Sequence, residues 1–438
     1  MIVDQLNTYL EGGAGIAALR LHARLRAVGV DSRLWYGKPA RNHVATDGVE
    51  PIVWTRKRKS PVAAVAADLA AIFWRVARKW ELRRALRGRP KDREIFTSPR
   101  IHRPTRYEQS SLRGDVLHLH WIAKMVDYPS FFGSLPLDLP VVWTLHDMNP
   151  FTGGCHHADE CSLYRTGCQS CPQLGKRGPA DLAHRSFHQK HEAYWGKNLH
   201  LVTPSRWLEQ HVRRSRLFRQ AASVQTIHNG LDIDTFSPRD KQVARRRFSL
   251  GNDRLVVGFG GDSLENRRKG VPELLRTLSL VERPERFLGL AIGGGQLPVC
   301  DEKLPELRRT GYLRESVELA DFYSSLDLLI MTSIAENMPQ TVVEALACGV
   351  PVVSFGVGGI VEIVVPGQTG LLAAPGDCRQ LARHIERLAD HAGERIQLGL
   401  GARQLAVEQF DLVRQTQRYS ELYTAARRKC PVKSCVSA

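Results

Sequence analysis

The sequence predicts an α/β protein made of two doubly wound domains with a ligand cleft between them. Three observations carry this. Apolar, β-branched runs alternate with helix-patterned stretches, the rhythm of parallel sheets covered on both faces. Such runs recur along nearly the whole of the 438 residues, too many for one small sheet. Turn residues cluster near the middle of the chain in "NGLDIDTFSPRD" (Asn229–Asp240), marking a linker.

In chain order, the first half offers a short strand before Gly12, then "DVLHLHWI" (Asp115–Ile122), "PVVWTLHD" (Pro140–Asp147) and "NLHLVTPS" (Asn198–Ser205). The second half offers "RLVVGFGG" (Arg254–Gly261), "FLGLAIGGG" (Phe287–Gly295), "LDLLIMTS" (Leu326–Ser333) and "GVPVVSF" (Gly349–Phe355). The expected division is residues 1–235 for an N-terminal domain, 236–410 for a C-terminal domain, and 411–438 for a helix and tail returning towards the first domain. In doubly wound folds ligands bind at the carboxyl ends of the strands, so residues just past strand ends are the candidate functional ones.

Composition narrows the class. At 43% hydrophobic residues the chain can bury real cores, and it is neither disordered nor collagenous. Its start lacks the basic and apolar regions of a secretory signal, and no run of about 18 apolar residues occurs. The expected compartment is the cytoplasm. The net charge of +17 is uneven: Arg56–Arg93 holds 13 Lys/Arg and 3 Asp/Glu, a net of +10, leaving +7 for everything else. A local basic surface is implied rather than a polyanion-binding protein throughout.

That basic segment contains "VAAVAADLAAIFWRVARKWELRRALRG" (Val62–Gly88), with Val62, Val65, Leu69, Ile72, Phe73, Val76 and Trp80 at helical spacing. One reading is a surface helix packed by that stripe, its arginines snorkelling outward. Another is a helix lying on an anionic membrane surface, with Phe73, Trp74 and Trp80 at the headgroups. The second would place the protein on the inner face of the plasma membrane. Nucleic acid is disfavoured, because no stacking platform accompanies the charge.

Four sites invite chemistry. In "EGGAGIAALRL", Gly13 and Gly15 lie where a strand turns into a helix, so backbone could approach an anion at the helix N-terminus. In "TLHDMNPFTGGCHHADECSLYRTGCQSCPQL", His146 closes a strand, followed by Cys155, Cys161, Cys168 and Cys171 as C-x5-C-x6-C-x2-C. Four thiolates so spaced could close a structural zinc site, with His156 and His157 as substitute ligands. Reduced cysteines packing a loop, or a disulfide pair, are the competing accounts. In "GGDSLENRRKGVPELL", Arg267, Arg268 and Lys269 stand ahead of a helix, where cations could meet a diphosphate.

The fourth is "TSIAENMPQTVVEALACGVPVVSF" (Thr332–Phe355). Pro339 fits the first helical position, which leaves Glu336 in the loop and Glu344 on the second turn. Between them the N–H groups of Gln340, Thr341 and Val342 form an anion site. Carboxylates beside an anion site suit a ligand with phosphates in its middle and hydroxyls at its ends, as in a nucleotide-sugar.

This E-x7-E spacing, with "ALACGVPVVSFGVGGIVEIV" and "GQTGLLAAPGD" after it, resembles the retaining glycosyltransferases of the GT-B fold, family four. "GGAGIAALRL", "VTPSRWL", "IHNGLDIDTFSP" and "RKGVPELL" follow in family order, and "HLHWI", "TLHDMNPFTGGCHH" and the CPQL ending are similar to an exopolysaccharide or colanic-acid-type subgroup. The resemblance implies roles. Glu344 would hold the donor ribose and Glu336 the donor sugar. Asn337, Met338, Pro339, Gln340 and Thr341 would contact sugar and phosphates. Lys269, with Arg268 or Arg267, would neutralise the leaving diphosphate. His146 would lie near the transferred sugar, and Gly13 and Gly15 would border the donor phosphates or acceptor. No cofactor would be needed for catalysis, and the acceptor would be a glycan or a lipid-linked glycan. The chain departs from the family at Asp262, where an arginine is usual, so the identity of the diphosphate-binding arginine stays open. A sugar-nucleotide epimerase or soluble glycan synthase on the same scaffold is the alternative enzyme. A zinc-containing polyanion- or membrane-binding module is the non-enzymatic one.

Overall fold

In the computed structural model, residues 1–39, 46–54, 61–89, 93–175, 181–297 and 303–428 are described, with side chains of the helix Pro61–Leu86 described at 69 and from 72 onward. The flanks of the basic segment at 56–60 and 90–92, and the tail beyond Arg428, lie outside those residues. The chain forms two compact units, Met1–Ile227 with Thr416–Ala438, and His228–Gln415.

The first unit holds a parallel sheet of seven strands in the order β3-β2-β1-β4-β5-β6-β7. They are β1 (Ile2–Tyr9), β2 (Asp31–Lys38), β3 (Val49–Pro51), β4 (Val116–Leu119), β5 (Val141–Thr144), β6 (Leu199–Thr203) and β7 (Ser223–Thr226). The inner strands are buried on both faces, as their continuous apolar runs require: β4, β5 and β6 expose no residue. The helix Leu412–Arg428 adds Tyr419 and Tyr423 to the same core as Val3, Val116, Val142 and Val202.

The second unit holds six parallel strands in the order β10-β9-β8-β11-β12-β13. They are β8 (Leu255–Ser263), β9 (Phe287–Gly294), β10 (Glu306–Gly311), β11 (Leu328–Met331), β12 (Val352–Phe355) and β13 (Gly370–Ala373). In both sheets the order reverses beside the first strand, between β1 and β4 and between β8 and β11. At such a reversal neighbouring crossovers run to opposite faces and leave an opening at the strand carboxyl ends.

The amphipathic helix Pro61–Leu86 packs on a different face from the expected one. Leu82, Ala85 and Leu86 lie against the first unit's core, and Glu81 pairs with Arg185 at 3.0 Å. Leu69, Ile72, Phe73, Val76 and Trp80, the stripe that one reading packed and the other laid on a membrane, are exposed by 49–68%. The helical period separates the two sets: at about 100° per residue, 82, 85 and 86 fall opposite 69, 72, 73, 76 and 80.

A buried ion pair ties the entry of the second unit to its sheet. Asp327, just before β11, accepts from Arg245 at 2.5 Å, from Lys241 at 2.9 Å and from the Val256 N–H at 2.7 Å. Arg245 and Asp327 side chains are only 6% and 8% exposed. Asp327→Ala strands the guanidinium without its counterion, and by denaturant unfolding it should destabilise the second unit by about 3–5 kcal/mol.

Candidate functional site

The second unit brings its candidate residues together where its strand order reverses. After β8 the chain turns through Arg267–Lys269 and enters the helix Val271–Leu278. After β11 it runs through Glu336 into the helix Gln340–Ala347. The two loops are stitched by backbone: the Ile334 N–H donates to the Arg268 carbonyl at 2.9 Å, and the Thr332 hydroxyl to the Gly270 carbonyl at 2.8 Å. Gly270 has φ +70°, and a Cβ there would stand 1.9 Å from the Thr332 carbonyl oxygen, so only glycine allows this approach.

Glu336 sits at the centre. Its Oε1 lies 2.7 Å from Lys269 Nζ and 2.8 Å from Arg268 Nη1, and the three side chains are 8%, 13% and 17% exposed respectively. Arg268 also donates to the Ala335 carbonyl at 2.8 Å. The Lys269 stem passes over Gly261 of β8, where a Cβ would lie 3.4 Å from its Cε. Behind Glu336 its own carbonyl accepts from the Gly359 N–H at 3.2 Å, and Gly358, at φ +56°, leaves no room for a Cβ beside it. Two cations and one carboxylate thus form a largely buried cluster with a formal surplus of one positive charge.

The two arginines have different partners. Arg267 forms a two-pronged pair with Glu273, at 2.8 and 2.5 Å, whereas Arg268 pairs with Glu336. Glu344 is buried on the helix Gln340–Ala347 and accepts from the Tyr323 hydroxyl at 2.8 Å. Two details of the anion site differ from expectation. Pro339 is the N-cap, with extended ψ of 121°, and not the first helical residue. Its carbonyl takes the Val342 N–H at 3.1 Å, which removes that donor from the set. Asn337 and Met338 are buried in the connecting loop, while Gln340 and Thr341 open the helix half-buried; no hydrogen bond reaches the Thr341 hydroxyl, although it is sealed from solvent.

In the first unit, β1, β4 and β5 deliver a different set at their carboxyl ends. Gly13 and Gly15 are in the first turn of the helix Gly12–Ala27. A Cβ on Gly15 would meet the Leu10 carbonyl carbon at 2.6 Å, so that glycine serves close helix–strand packing, whereas Gly13 faces open space. His146 contacts His120 at 3.2 Å through Nε2. Asp147 accepts from the Trp121 ring N–H at 2.7 Å, from His156 Nδ1 at 2.6 Å and from the Asn149 N–H at 2.8 Å. Burial opposes the Asp147 charge, but the His156 ring and these hydrogen bonds more than offset it and hold the carboxyl down to about 2. Burial drives His118 down to about 3, with the His146 ring adding to it, and His146 down to about 4 against the pull of Asp147; His120 is lowered as well.

The four cysteines line one small apolar cavity with Phe96 and Tyr164. All are free thiols. Burial pushes the Cys155 thiol up to about 12 and raises Cys168 and Cys171 as well. Among the described residues no group of three or more His, Cys, Asp or Glu side chains is placed to hold a metal ion. His156 is engaged by Asp147 and, at 2.9 Å, by Thr97.

Comparisons with known proteins agree with this geometry. Residues 254–391 match the family described as Glycosyl transferases group 1. The chain is 33% identical over 199 residues to D-inositol 3-phosphate glycosyltransferase 1 of Catenulispora acidiphila, covering 42% of this chain and 47% of that protein. It is likewise 33% identical over 202 residues to D-inositol 3-phosphate glycosyltransferase of Mycobacteroides abscessus, covering 43% of this chain and 42% of that one. The matches therefore span under half the length of these relatives. Among solved structures, the sucrose-phosphate synthase from Thermosynechococcus elongatus superposes with a TM-score of 0.65 at 16% identity, covering 98% of this chain and 99% of that one. The Anabaena protein HepE in complex with UDP gives 0.60 at 18% identity, covering 97% and 100%. These likenesses show the fold, two Rossmann-like domains of the GT-B class.

The histidines give the site a pH signature. Above about pH 6.5 they are neutral whether the chain is folded or unfolded, and their contribution is complete. Below it the unfolded chain takes protons that the buried rings refuse, so stability falls from about pH 6.5 down through about 4. Urea unfolding at stepped pH should show each ring adding a slope of up to about 1.4 kcal/mol per pH unit, and His146→Gln should flatten part of it.

Proposed function

We propose that the protein is a glycosyltransferase that moves a sugar from a nucleoside diphosphate sugar to a glycan or lipid-linked acceptor, with retention of anomeric configuration, in the synthesis of a cell-surface polysaccharide. The observation that carries the reading is the Lys269–Glu336–Arg268 cluster at the second sheet's reversal point, inside the stretch matched to the group 1 glycosyltransferases. HepE, of the same fold, was solved with UDP and with UDP-glucose.

The chemistry follows from the charges. A diphosphate leaving group gains negative charge as the glycosidic bond breaks, and preorganised cations in a partly dry pocket stabilise that charge more than they stabilise the bound substrate. Lys269 and Arg268 supply it. Glu336 holds both cations in place before the donor arrives and, with the donor bound, accepts a hydrogen bond from a sugar hydroxyl. Glu344, aligned by Tyr323, accepts from the ribose. Asn337, Met338, Gln340 and Thr341 line the path between the two carboxylates, and the Gln340 and Thr341 N–H groups face the phosphates.

With a panel of nucleotide-sugars and membrane-extracted acceptors, wild-type protein should release nucleoside diphosphate only when acceptor is present, and the product linkage should keep the donor's configuration. Lys269→Ala and Glu336→Gln should each lower kcat by about 10²–10³-fold, while Arg267→Ala should stay within about threefold, since its partner is Glu273. Equal nucleotide release by wild type and Lys269→Ala would sink the assignment.

The helix Pro61–Leu86 supports a second feature of this reading, contact with an anionic membrane surface. Phe73, Trp74 and Trp80 are 68%, 54% and 60% exposed, and Arg84 lies 5.3 Å from the Trp80 ring centre. Exposed aromatic and aliphatic side chains beside arginines match an interfacial helix. No helix among the described residues is long and apolar enough to cross a membrane. In sedimentation with vesicles containing anionic phospholipid, the protein should pellet at low salt and dissociate as salt rises. Phe73→Ser with Trp80→Ser should abolish pelleting, and binding unaffected by both changes would leave the helix as surface only.

A further inference from the structure

The first unit has a cavity at the amino ends of β6 and β7, the opposite edge of its sheet from His146 and Asp147. Its volume is about 410 Å³, within the roughly 300–1,000 Å³ of small-molecule sites. The local sequence explains the opening. The helix Leu182–Tyr194 stops at Trp195, and Gly196, at φ +69°, turns the chain towards β6. Across the gap the turn Arg216–Phe218 leads through residues 219–221 into β7. The floor is apolar. Tyr194 stacks on Phe218 with ring centres 5.4 Å apart, and its hydroxyl donates away to the Pro150 carbonyl at 3.0 Å.

The walls are cationic. Lys197, Arg216 and Arg219 line the cavity, and no carboxylate does. Lys197 Nζ donates to the Leu135 carbonyl at 2.9 Å, which uses one of its three N–H groups. Burial lowers its pKa, with no neighbouring negative charge to offset the cost. Arg216 and Arg219 are exposed and have no ion-pair partner among the described residues. The positive potential reaches past the walls: burial lowers the His188 pKa, and His184, His191 and Arg216 add to it against the pull of Glu192. Like charges gathered around a concave surface focus their field on whatever enters it.

Two features narrow the ligand. Trp195 is 60% exposed, its ring 5.7 Å from that of His191. A large, flat, apolar ring of this kind offers a packing surface for the C–H face of a sugar. The helix Leu182–Tyr194 meets the cavity with its C-terminus, the negative end of its dipole, so it brings no row of free N–H groups for a phosphate. Three separate cations without such N–H groups suit single carboxylates spread over a ligand better than the dense charge of a diphosphate.

We propose that this cavity binds an acidic saccharide, with a sugar ring against Trp195 and carboxylates on Arg216, Arg219 and Lys197, away from the strand carboxyl ends. Naming the saccharide as a segment of the growing glycan rests on the sugar-transfer reading, but the anion chemistry does not. A guanidinium takes a carboxylate in a two-pronged pair. Gln220, on the same wall, serves the neutral hydroxyls, since its amide both donates and accepts.

The test uses the full-length protein labelled with ¹⁵N at tryptophan, with no nucleotide-sugar present. Trp195→Phe identifies the Trp195 indole signal by its loss. Titration with trigalacturonate should shift that signal and saturate. The methyl ester of the same trisaccharide keeps the rings and loses the charges, and should bind about tenfold more weakly or worse. Arg216→Gln combined with Arg219→Gln, both at exposed positions, should weaken trigalacturonate binding to a similar degree, about tenfold. An unmoved Trp195 signal, equal affinity for the methyl ester, full affinity in the double variant, or tighter binding of pyrophosphate than of trigalacturonate at that signal overturns the proposal. Saturable binding in a protein that transfers no sugar would uphold the cavity's role while rejecting the sugar-transfer reading. Sugar transfer with an unmoved Trp195 signal would do the reverse.

Discussion

Strand order is the constraint on which everything else in this protein rests. A parallel strand must be reached by a crossover, and crossovers are right-handed. A sheet that grows outward in both directions from its first strand therefore sends successive helices to opposite faces. The loops after β8 and β11 begin side by side and diverge, and the gap between them is where Lys269, Arg268 and Glu336 meet. No motif in either loop builds this cluster alone. Each loop supplies one sign of charge, and the topology supplies the adjacency.

The two units use the same architectural opening for opposite electrostatics. The second concentrates formal charge, with two cations clamped on a carboxylate. The first places stacked imidazoles, His118 and His120 at 4.1 Å and His120 and His146 at 5.4 Å between ring centres, which burial keeps neutral. Neutral rings report through direction and not through charge: what matters is which nitrogen holds the proton. A charged site tolerates small errors in geometry because Coulomb energy falls slowly with distance. A site built on ring orientation does not, and His118 and His120 accordingly have almost no exposure.

Much of this was legible in the residues. The apolar runs named the inner strands of both sheets because burial on two faces leaves no polar alternation to confuse the pattern. The edge strands were harder: β7 reads SVQT and β10 reads ELRRTG, and neither carries an apolar run. The E-x7-E spacing and the cation run were visible, but the pairing of Arg268 with Glu336 and of Arg267 with Glu273 is revealed only by the three-dimensional turn. The stripe on the helix Pro61–Leu86 was correctly phased, but its surroundings stayed open between a packed face and a membrane face, because periodicity shows that a face is apolar and not what covers it. The cysteine spacing has a related limit. Ligand distance along the chain does not fix where side chains meet, and here the loop folds the thiols around a cavity. The hydrogen bonds joining Gln5, Ser32 and His22 carried no motif at all. They depend on register, with β1 between β2 and β4, which no local pattern encodes.

The helix Leu412–Arg428 gives the first unit a temporal peculiarity. His118 Nδ1 bonds the Tyr423 hydroxyl at 2.7 Å, and Thr144, which bonds His118 Nε2 at 2.8 Å, bonds the Tyr419 hydroxyl at 2.7 Å. These partners are encoded after the whole second unit. On the ribosome, the second unit is a continuous stretch that can fold as it emerges. The first, although begun earlier, must wait with His118 and Thr144 lacking those two tyrosines until the last helix is synthesised. The order of birth and the order of completion are inverted, and a chain cut short before Tyr419 loses part of its oldest core rather than its newest end.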